Sequence, residues 1–453
     1  MIGRLKACIG QRNPLRLAYH AGKSLIAALC YGFPARRITV ISVTGTDGKT
    51  TTTSMIAHIL RASGLKVGIA STAFFDDGTG LKENPSHLTS ISPFVLQKLL
   101  RQMLNNKCTH AVLECSSHGL VQHRLDWTFP RVAAITNTAL EHLDYHGTME
   151  QYRKDKGILF RMLKGKGTKI LNICDETYST YSGIPSDKTI VWSPTQQTHE
   201  TTLWLSDIHS TATSTEATVH FAQSQIAHST SSGQANRKSQ IVTHDLHLNI
   251  PGAYNLENAL CAISSSLALG IDIQQSIDAL RTFSGIPGRL EPIDEGQPFS
   301  VFVDFAVSPQ SYEKTLETLR SIVGESGRVI VMCSSCGNRM REKRPEIGRI
   351  CSKLADMVIA TEDETYSEDP HAVLEEVWAG VDQDICKAHK IFDRREAIAF
   401  ALKTAKPGDA VVFCGMGPFS TMTKLEGRIE WDERKIVREE LKKLGYTIIP
   451  NAL

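Results

Sequence analysis

The stretch VTGTDGKTTTTSMIAHIL (Val43–Leu60) sets two glycines, a lysine and a run of hydroxyls at a spacing suited to phosphate. The widespread phosphate loop reads G-x-x-x-x-G-K-[ST]. Here only two residues, Thr46 and Asp47, separate Gly45 from Gly48-Lys49-Thr50, and Val43 stands where the wider pattern wants glycine. The chemistry survives the shorter spacing. Gly45 and Gly48 let backbone approach a phosphate closely. A helix starting beside them would turn its N–H groups and its dipole toward an anion. Lys49 offers a point charge to β- and γ-phosphates, and Thr50, followed by Thr51, offers a hydroxyl to Mg²⁺. A plain glycine turn has no need of a lysine followed by four threonines.

Further chemistry-bearing residues follow. LECSSHGL places Glu114 at the end of an apolar run, and TNTALEHLDYHGTMEQYRKDKGILF places His142 and Lys156 beyond the next one. Alone, such a carboxylate reads as a surface group and such a histidine as a satisfied core residue. Behind a phosphate loop, two strand-end motifs of one sheet open onto the same crevice. Oxygen ligands beside a nucleotide fit Mg²⁺ better than zinc. Cys333 and Cys336 have no second Cys/His pair at useful spacing and read as non-metal.

The elements that must position these groups alternate. ITVISVTG reads as a strand and KTTTTSMIAHILRASG as a helix; KVGIAST, THAVLECS and RVAAITNT are further short strands. That alternation predicts an α/β fold with a mostly parallel sheet. Residues 200–250 alternate in polarity and read as short antiparallel strands, with AQSQIAHSTSSGQANRKSQ as a mobile surface loop between them. SGIPGRLEPID (Ser284–Asp294) is the clearest boundary, and a second strand–helix series follows it. The expected domains are 1–38, a helical segment; 39–287, a central ATP-binding domain; and 288–453, a Rossmann-like α/β domain.

With 453 residues, 41% hydrophobic, 22% charged and a net charge of +2, the chain is an ordinary globular one and not a nucleic-acid binder. Eleven dispersed cysteines suit reduced thiols in a cytoplasmic protein. No run reaches transmembrane length. The basic, partly apolar N-terminal stretch fits a helix docked on the domain behind it, or one that meets a membrane surface or a partner.

GTDGKTTT, ECSSHGLVQHR, TNTALEHLDYHGTMEQYRKDK, GAYNLENALCAI and GIPGRLE together resemble the Mur ligase family, and within it the MurE type, which adds the third residue of the peptidoglycan stem peptide. The short loop spacing is the form this family uses. The resemblance implies ATP-dependent amide formation through an acyl phosphate. It assigns Lys49, Lys156, His142 and Asn137 to catalysis, and Gly45, Thr46, Asp47, Gly48, Lys49, Thr50 and Thr51 to the nucleotide phosphates. Mg²⁺ would be held by Thr50, Glu114, His142 and Lys156, the last as a carbamate. Asn255 and Asn258 would approach adenine, Arg289 would contact ATP and Asp304 the ribose. Thr89, Ser90, Ser116, Gln122 and Arg124 would hold a muramyl-peptide substrate. The implied partners are small molecules, and the implied state is monomeric.

Three stretches depart from the family pattern. Residues 1–38 stand where the MurE type carries a whole UDP-gripping domain, so the acceptor would be gripped elsewhere or carried differently, for example on a lipid. DETY (Asp363–Tyr366) replaces D-N-P-R, and GMGPF (Gly415–Phe419) replaces G-K-G-H-E. Tyr366 cannot form the bidentate pair of an arginine with a carboxylate, which disfavours diaminopimelate as the added amino acid. DFAVSP (Asp304–Pro309) lacks a histidine, and RMREKRP (Arg339–Pro345) keeps Arg339, Lys343 and Arg344 but has Met340 for an aspartate. With the phosphate and metal elements intact, the pattern reads as altered specificity. The alternatives are a ligase that extends a folate with glutamate, and an ATP-binding scaffold without turnover.

Overall fold

A computed structural model describes residues 10–195, 197–223 and 240–447. Most of the loop expected over Ala222–Gln240 lies outside the described residues. The chain divides into two compact units: one takes the chain through Ile208 together with Glu216–Leu248 and Asn255–Phe283, the other His209–Thr215, Asn249–Tyr254 and the chain from Ser284 onward.

The first unit is built on one sheet. Its strands in chain order are β1 (Thr39–Thr44), β2 (Val67–Ala70), β3 (Phe74–Asp76), β4 (Leu81–Glu83), β5 (His110–Glu114), β6 (Val132–Ile135), β7 (Thr168–Asn172), β8 (Lys188–Ser193), β9 (Leu203–Ser210), β10 (Thr215–Ala222) and β11 (Ile241–Leu248). They lie in the order β11-β10-β9-β8-β7-β6-β1-β5-β2-β3-β4. The pairings from β9 across to β2 are parallel, and β3 and β4 fold back antiparallel at the edge. The α/β class with a mostly parallel sheet is therefore as the sequence predicts.

Strand β1 sits mid-sheet, and its neighbours explain the site. The chain leaves β1 for β2 on one side and later fills β6 to β8 on the other, so β1 borders a switch point, where α/β sheets open their ligand crevice. In register, Val43 pairs with Glu114 and Thr44 with Ile135, so the glycine loop, Glu114 and the turn after β6 leave the sheet at one level. Val40, Ile41 and Val43 are fully buried, as suits a strand covered on both faces.

The second unit carries a six-stranded sheet: β12 (Glu291–Pro292), β13 (Ser300–Asp304), β14 (Val329–Cys333), β15 (Met357–Ala360), β16 (Lys387–Lys390) and β17 (Ala410–Cys414), in the order β12-β13-β17-β14-β15-β16. All pairings except β12 with β13 are parallel. The two-residue period of a strand sorts its side chains between two cores. Val329, Val331 and Cys333 enter one with Leu316 and Ile347, and Ile330 and Met332 enter the other with Phe413 and Val437.

Candidate active site

Helix Lys49–Ala62 begins directly after Gly48, which sits in the left-handed region at φ 75°. A side chain there would also collide: a Cβ on Gly48 would lie 2.0 Å from Asn258 Oδ1, and one on Gly45 1.9 Å from Thr136 Oγ1. The loop hangs from the turn after β6. Asn137 accepts from Thr46 N through its carbonyl (2.9 Å) and from Asp47 N through its side chain (3.0 Å), while Thr136 Oγ1 donates to the Asp47 carbonyl (2.6 Å). Those two loop amides are thereby used, so a phosphate would meet the first-turn amides of the helix. Lys49 Nζ donates to the Thr46 carbonyl at 2.7 Å. The tight, glycine-lined start of a helix beside a lysine fits a nucleotide phosphate. Thr51 follows within the first turn of the same helix.

Glu114, at the end of β5, is almost fully buried and saturated with donors. Its Oε2 accepts from Thr50 Oγ1 (3.0 Å) and Thr72 N (2.7 Å), and its Oε1 from Thr72 Oγ1 (2.9 Å). Thr72 Oγ1 also lies 2.9 Å from Thr89 Oγ1. Thr72 escaped the sequence reading; it follows the β2 strand, and only the fold brings it to a carboxylate 42 residues on. Among the described residues no group of three His, Cys, Asp or Glu side chains could hold a metal ion. Magnesium keeps waters and phosphate oxygens among its ligands and takes few from protein, so the adjacent Thr50 hydroxyl and Glu114 carboxylate fit it.

Lys156 ends the helix Met149–Lys156 and is buried, with Nζ donating to the Gly45 carbonyl at 2.6 Å and standing 4.3 Å over the Tyr152 ring. Burial first, and the nearby Lys49 charge second, push its amine well below the ordinary lysine value. Tyr152 joins the two ends of the site, because its hydroxyl lies 3.2 Å from Thr46 Oγ1. The first residue of Y-x-x-x-K thus has a role that the motif hints at only by its spacing. His142 caps the short helix Leu143–His146 at φ 58°, with its ring 4.7 Å from that of His118 and 6.3 Å from that of Tyr152. Nearby, Asp155 receives Arg12 (2.5 and 3.1 Å) and His146 (2.6 Å). Burial alone would raise the Asp155 carboxyl, but the bonds from His146, Arg12 and Gln151 outweigh it and hold it at about 2.

The residues expected to meet the acceptor form one hydrogen-bonded group. Ser116 donates to Ser90 Oγ through N (2.9 Å) and Oγ (3.1 Å), and Arg124 donates to the Ser90 carbonyl (2.8 Å) and to Gln122 Oε1 (2.6 Å). Gly119 passes so close that a Cβ would lie 2.3 Å from Ser90 Cβ. Among the described residues no carboxylate pairs with Arg124, and burial lowers its pKa. A half-buried guanidinium held only by neutral acceptors suits a ligand that brings the anion. Asn258 accepts from Thr52 Oγ1 (3.3 Å) and donates to Asn255 Oδ1 (3.1 Å), placing both asparagines behind the loop.

Arg289 and Asp304 belong to the second unit. Arg289 lies 4.4 Å over the Phe305 ring. Both oxygens of Asp304 are engaged, by Leu290 N (2.9 Å) and Thr315 Oγ1 (2.8 Å), and burial raises its pKa. Lys343 Nζ donates to the Val307 carbonyl (2.9 Å), and Arg344 reaches Glu368 and Glu376. Tyr366 donates to Glu364 (3.0 Å), and the Arg339 guanidinium stands 5.5 Å over its ring, so a cation from a distant stretch reaches the place where the motif lost one.

Comparison with known proteins decides the family. Residues 43–266 match the Mur ligase middle domain, and residues 288–417 match the Mur ligase, glutamate ligase domain. The chain is 34% identical over 422 residues to the UDP-N-acetylmuramoyl-L-alanyl-D-glutamate--2,6-diaminopimelate ligase of Trichormus variabilis, covering 92% of this chain and 79% of that protein. This chain belongs to the Mur ligase family. It is accordingly an ATP-dependent enzyme that forms carbon–nitrogen bonds. The ligase is also 34% identical to a UDP-N-acetylmuramyl-tripeptide synthetase of Roseiflexus sp., over 93% of its length and 82% of the relative's. A solved UDP-N-acetylmuramoyl-L-alanyl-D-glutamate--2,6-diaminopimelate ligase superposes with a TM-score of 0.60 at 27% identity, covering 90% of this ligase and 79% of that chain. The MurF ligase of Thermotoga maritima shares the fold at a TM-score of 0.63 and 18% identity, covering 93% and 84%.

Proposed function

We propose that this ligase adds an amino acid to the free carboxylate of a UDP-N-acetylmuramyl dipeptide, the acceptor class that its relatives' names carry. The supporting observation is the convergence of the glycine loop, the Thr50–Glu114 pair and buried Lys156, together with the Arg124 guanidinium, which meets no carboxylate among the described residues. On this reading the acceptor carboxylate attacks the γ-phosphorus, the bond to the bridging oxygen breaks, and ADP leaves. The amine of the amino acid then attacks the acyl carbon, loses a proton, and inorganic phosphate departs.

Lys49 exchanges its loop carbonyl for the phosphates, and Asn137 keeps the loop in the shape that presents the helix start. Thr50 and Glu114 would hold Mg²⁺, which supplies positive charge across the phosphate oxygens. Burial disfavours the proton on Lys156 and so favours the neutral amine that carbamylation requires, and with His142 it would add oxygen and nitrogen ligands for a second ion. Asn255 and Asn258 would face adenine, Arg289 would contact ATP and Asp304 the ribose. Thr89, Ser90, Ser116, Gln122 and Arg124 would grip the acceptor, Arg124 pairing with an anionic group. A monomer in the cytoplasm, where nucleotide-linked precursors and ATP are found, is the setting this reading implies.

The test is phosphate release from Mg²⁺-ATP with UDP-N-acetylmuramyl dipeptide and each candidate amino acid, diaminopimelate included, with mass spectrometry of the products. One new mass per productive amino acid is expected. Silence across the panel, with ATP still bound, would overturn the UDP-linked acceptor.

A further inference from the structure

The helix Pro14–Cys30 is assembled inside out. It buries only small side chains, Ser24, Ala27 and Ala28, and leaves its large apolar ones outside. Leu15 is 77% exposed, Tyr19 52%, Ile26 55% and Leu29 58%. These four fall at the four- and three-residue steps that place side chains on one face, with Gly22 completing the stripe. The helix is not loosely attached. Asn13 caps its start, Arg12 before it is tied to Asp155, and Arg101 donates to the Tyr31 carbonyl beyond its end (2.9 Å). An ordinary surface helix turns this stripe inward; this one holds it out over about 25 Å of length.

The charge around the stripe names what would cover it. Before Asp47 the chain has no aspartate or glutamate and carries seven lysines and arginines, while the whole chain is only +2, so everything after this stretch is net acidic. On the helical wheel Arg16 and Lys23 run along one edge of the stripe, beside Tyr19. A second copy of the chain would set these cations against their own equivalents, which disfavours self-association. An aliphatic face edged by cations and a tyrosine suits an interface that is apolar inside and anionic at its rim. We propose that this helix seats the ligase on the surface of an anionic lipid bilayer, with its axis in the plane of the membrane. No helix among the described residues is long and apolar enough to cross one, so the attachment is peripheral. This inference does not depend on the chemistry of the acceptor.

The test is co-sedimentation of the full chain with vesicles of phosphatidylcholine alone and of phosphatidylcholine with phosphatidylglycerol. Partitioning onto the anionic vesicles should exceed that onto the neutral ones by about tenfold and fall as salt rises. The pair Ile26→Glu and Leu29→Glu should reduce it by about tenfold or more, and so should Leu15→Glu at the other end of the helix. Arg16→Gln with Lys23→Gln should weaken it and flatten its salt dependence. An unchanged melting temperature and unchanged nucleotide binding would show that the variants are folded. Equal binding to both vesicles, or unaltered binding by the glutamate variants, would overturn the proposal. So would a dimer that the glutamate variants dissolve. Absence of binding to anionic vesicles would also overturn it and leave the face to a protein partner.

Discussion

Lys156→Met tests whether the structure has the state of that lysine right. The side chain is 1% exposed, and its amine is pushed well below 10.5 by burial, with Lys49 adding to the effect. In the unfolded chain the amine keeps its ordinary value. Between the folded value and 10.5 the unfolded chain therefore holds one proton more than the folded one. Stability must then rise with pH across that window, and fall as pH drops toward the folded value, by about 1.4 kcal/mol per pH unit. Methionine keeps the length and apolar stem but has no proton to release, so the variant should lack that increment while sharing every other titration. The lost bond to the Gly45 carbonyl lowers the variant's stability at all pH values and leaves the slope alone. The measurement is urea unfolding in CO₂-free buffer, read by pulsed hydrogen exchange on peptides of β1 and β6, which reports the first unit by itself. Parallel stability–pH lines for the two proteins would refute a lysine buried as its neutral amine, and with it the ground for carbamylation.

Three further outcomes follow from the same site. Lys49→Ala should cut phosphate release by at least about 100-fold with the fold intact, because the transferring phosphoryl loses its charge partner; retained turnover would remove the loop from the reaction. Thr72→Val preserves shape but deletes the 2.9 Å bond to Glu114, and should raise the Mg²⁺ concentration needed for half-maximal activity by about 10- to 100-fold, as a lost partner of a metal ligand does. An unshifted Mg²⁺ dependence would argue against Glu114 as a ligand. Gly48→Ala pays for its left-handed backbone and for displacing Asn258, together about 2 kcal/mol, readable as an earlier urea midpoint of the first unit. An unchanged midpoint would mean that the loop adjusts freely.

What the sequence disclosed, and what it hid, follows from the range of the contacts. The loop, the buried strand before it and the helix after it are contiguous, so composition and spacing reveal them together. Glu114 could be read because a carboxylate closing an apolar run is conspicuous, and parallel pairing with β1 then brings it to the loop. Thr72 could not, since a threonine after a strand is commonplace until the sheet order sets β2 beside β5. The tie of Arg12 to Asp155 spans 143 positions, beyond any local pattern. The N-terminal helix was legible as a basic, partly apolar helix, but periodicity does not say which face turns inward. Ser24, Ala27 and Ala28 had to be seen against the body of the first unit. Tyr366 looked like the plain loss of a cation, until the fold brought Arg339 over its ring.

Lys49 and Lys156 donate to successive carbonyls of one loop, those of Thr46 and Gly45. The two lysines therefore share a field, and thermodynamic reciprocity binds them to whatever the loop holds. If Lys156 stays an amine, a polyphosphate draws a proton onto it, and acidification tightens nucleotide binding by the same factor. If it becomes a carbamate, the added negative charge reverses the sign: the nucleotide is repelled unless a metal ion intervenes, and affinity turns steeply on Mg²⁺ rather than on pH. The order in which bicarbonate, metal and nucleotide are added would then govern how fast the enzyme becomes active, and a lag after bicarbonate is restored to enzyme kept in CO₂-free buffer would be its kinetic trace.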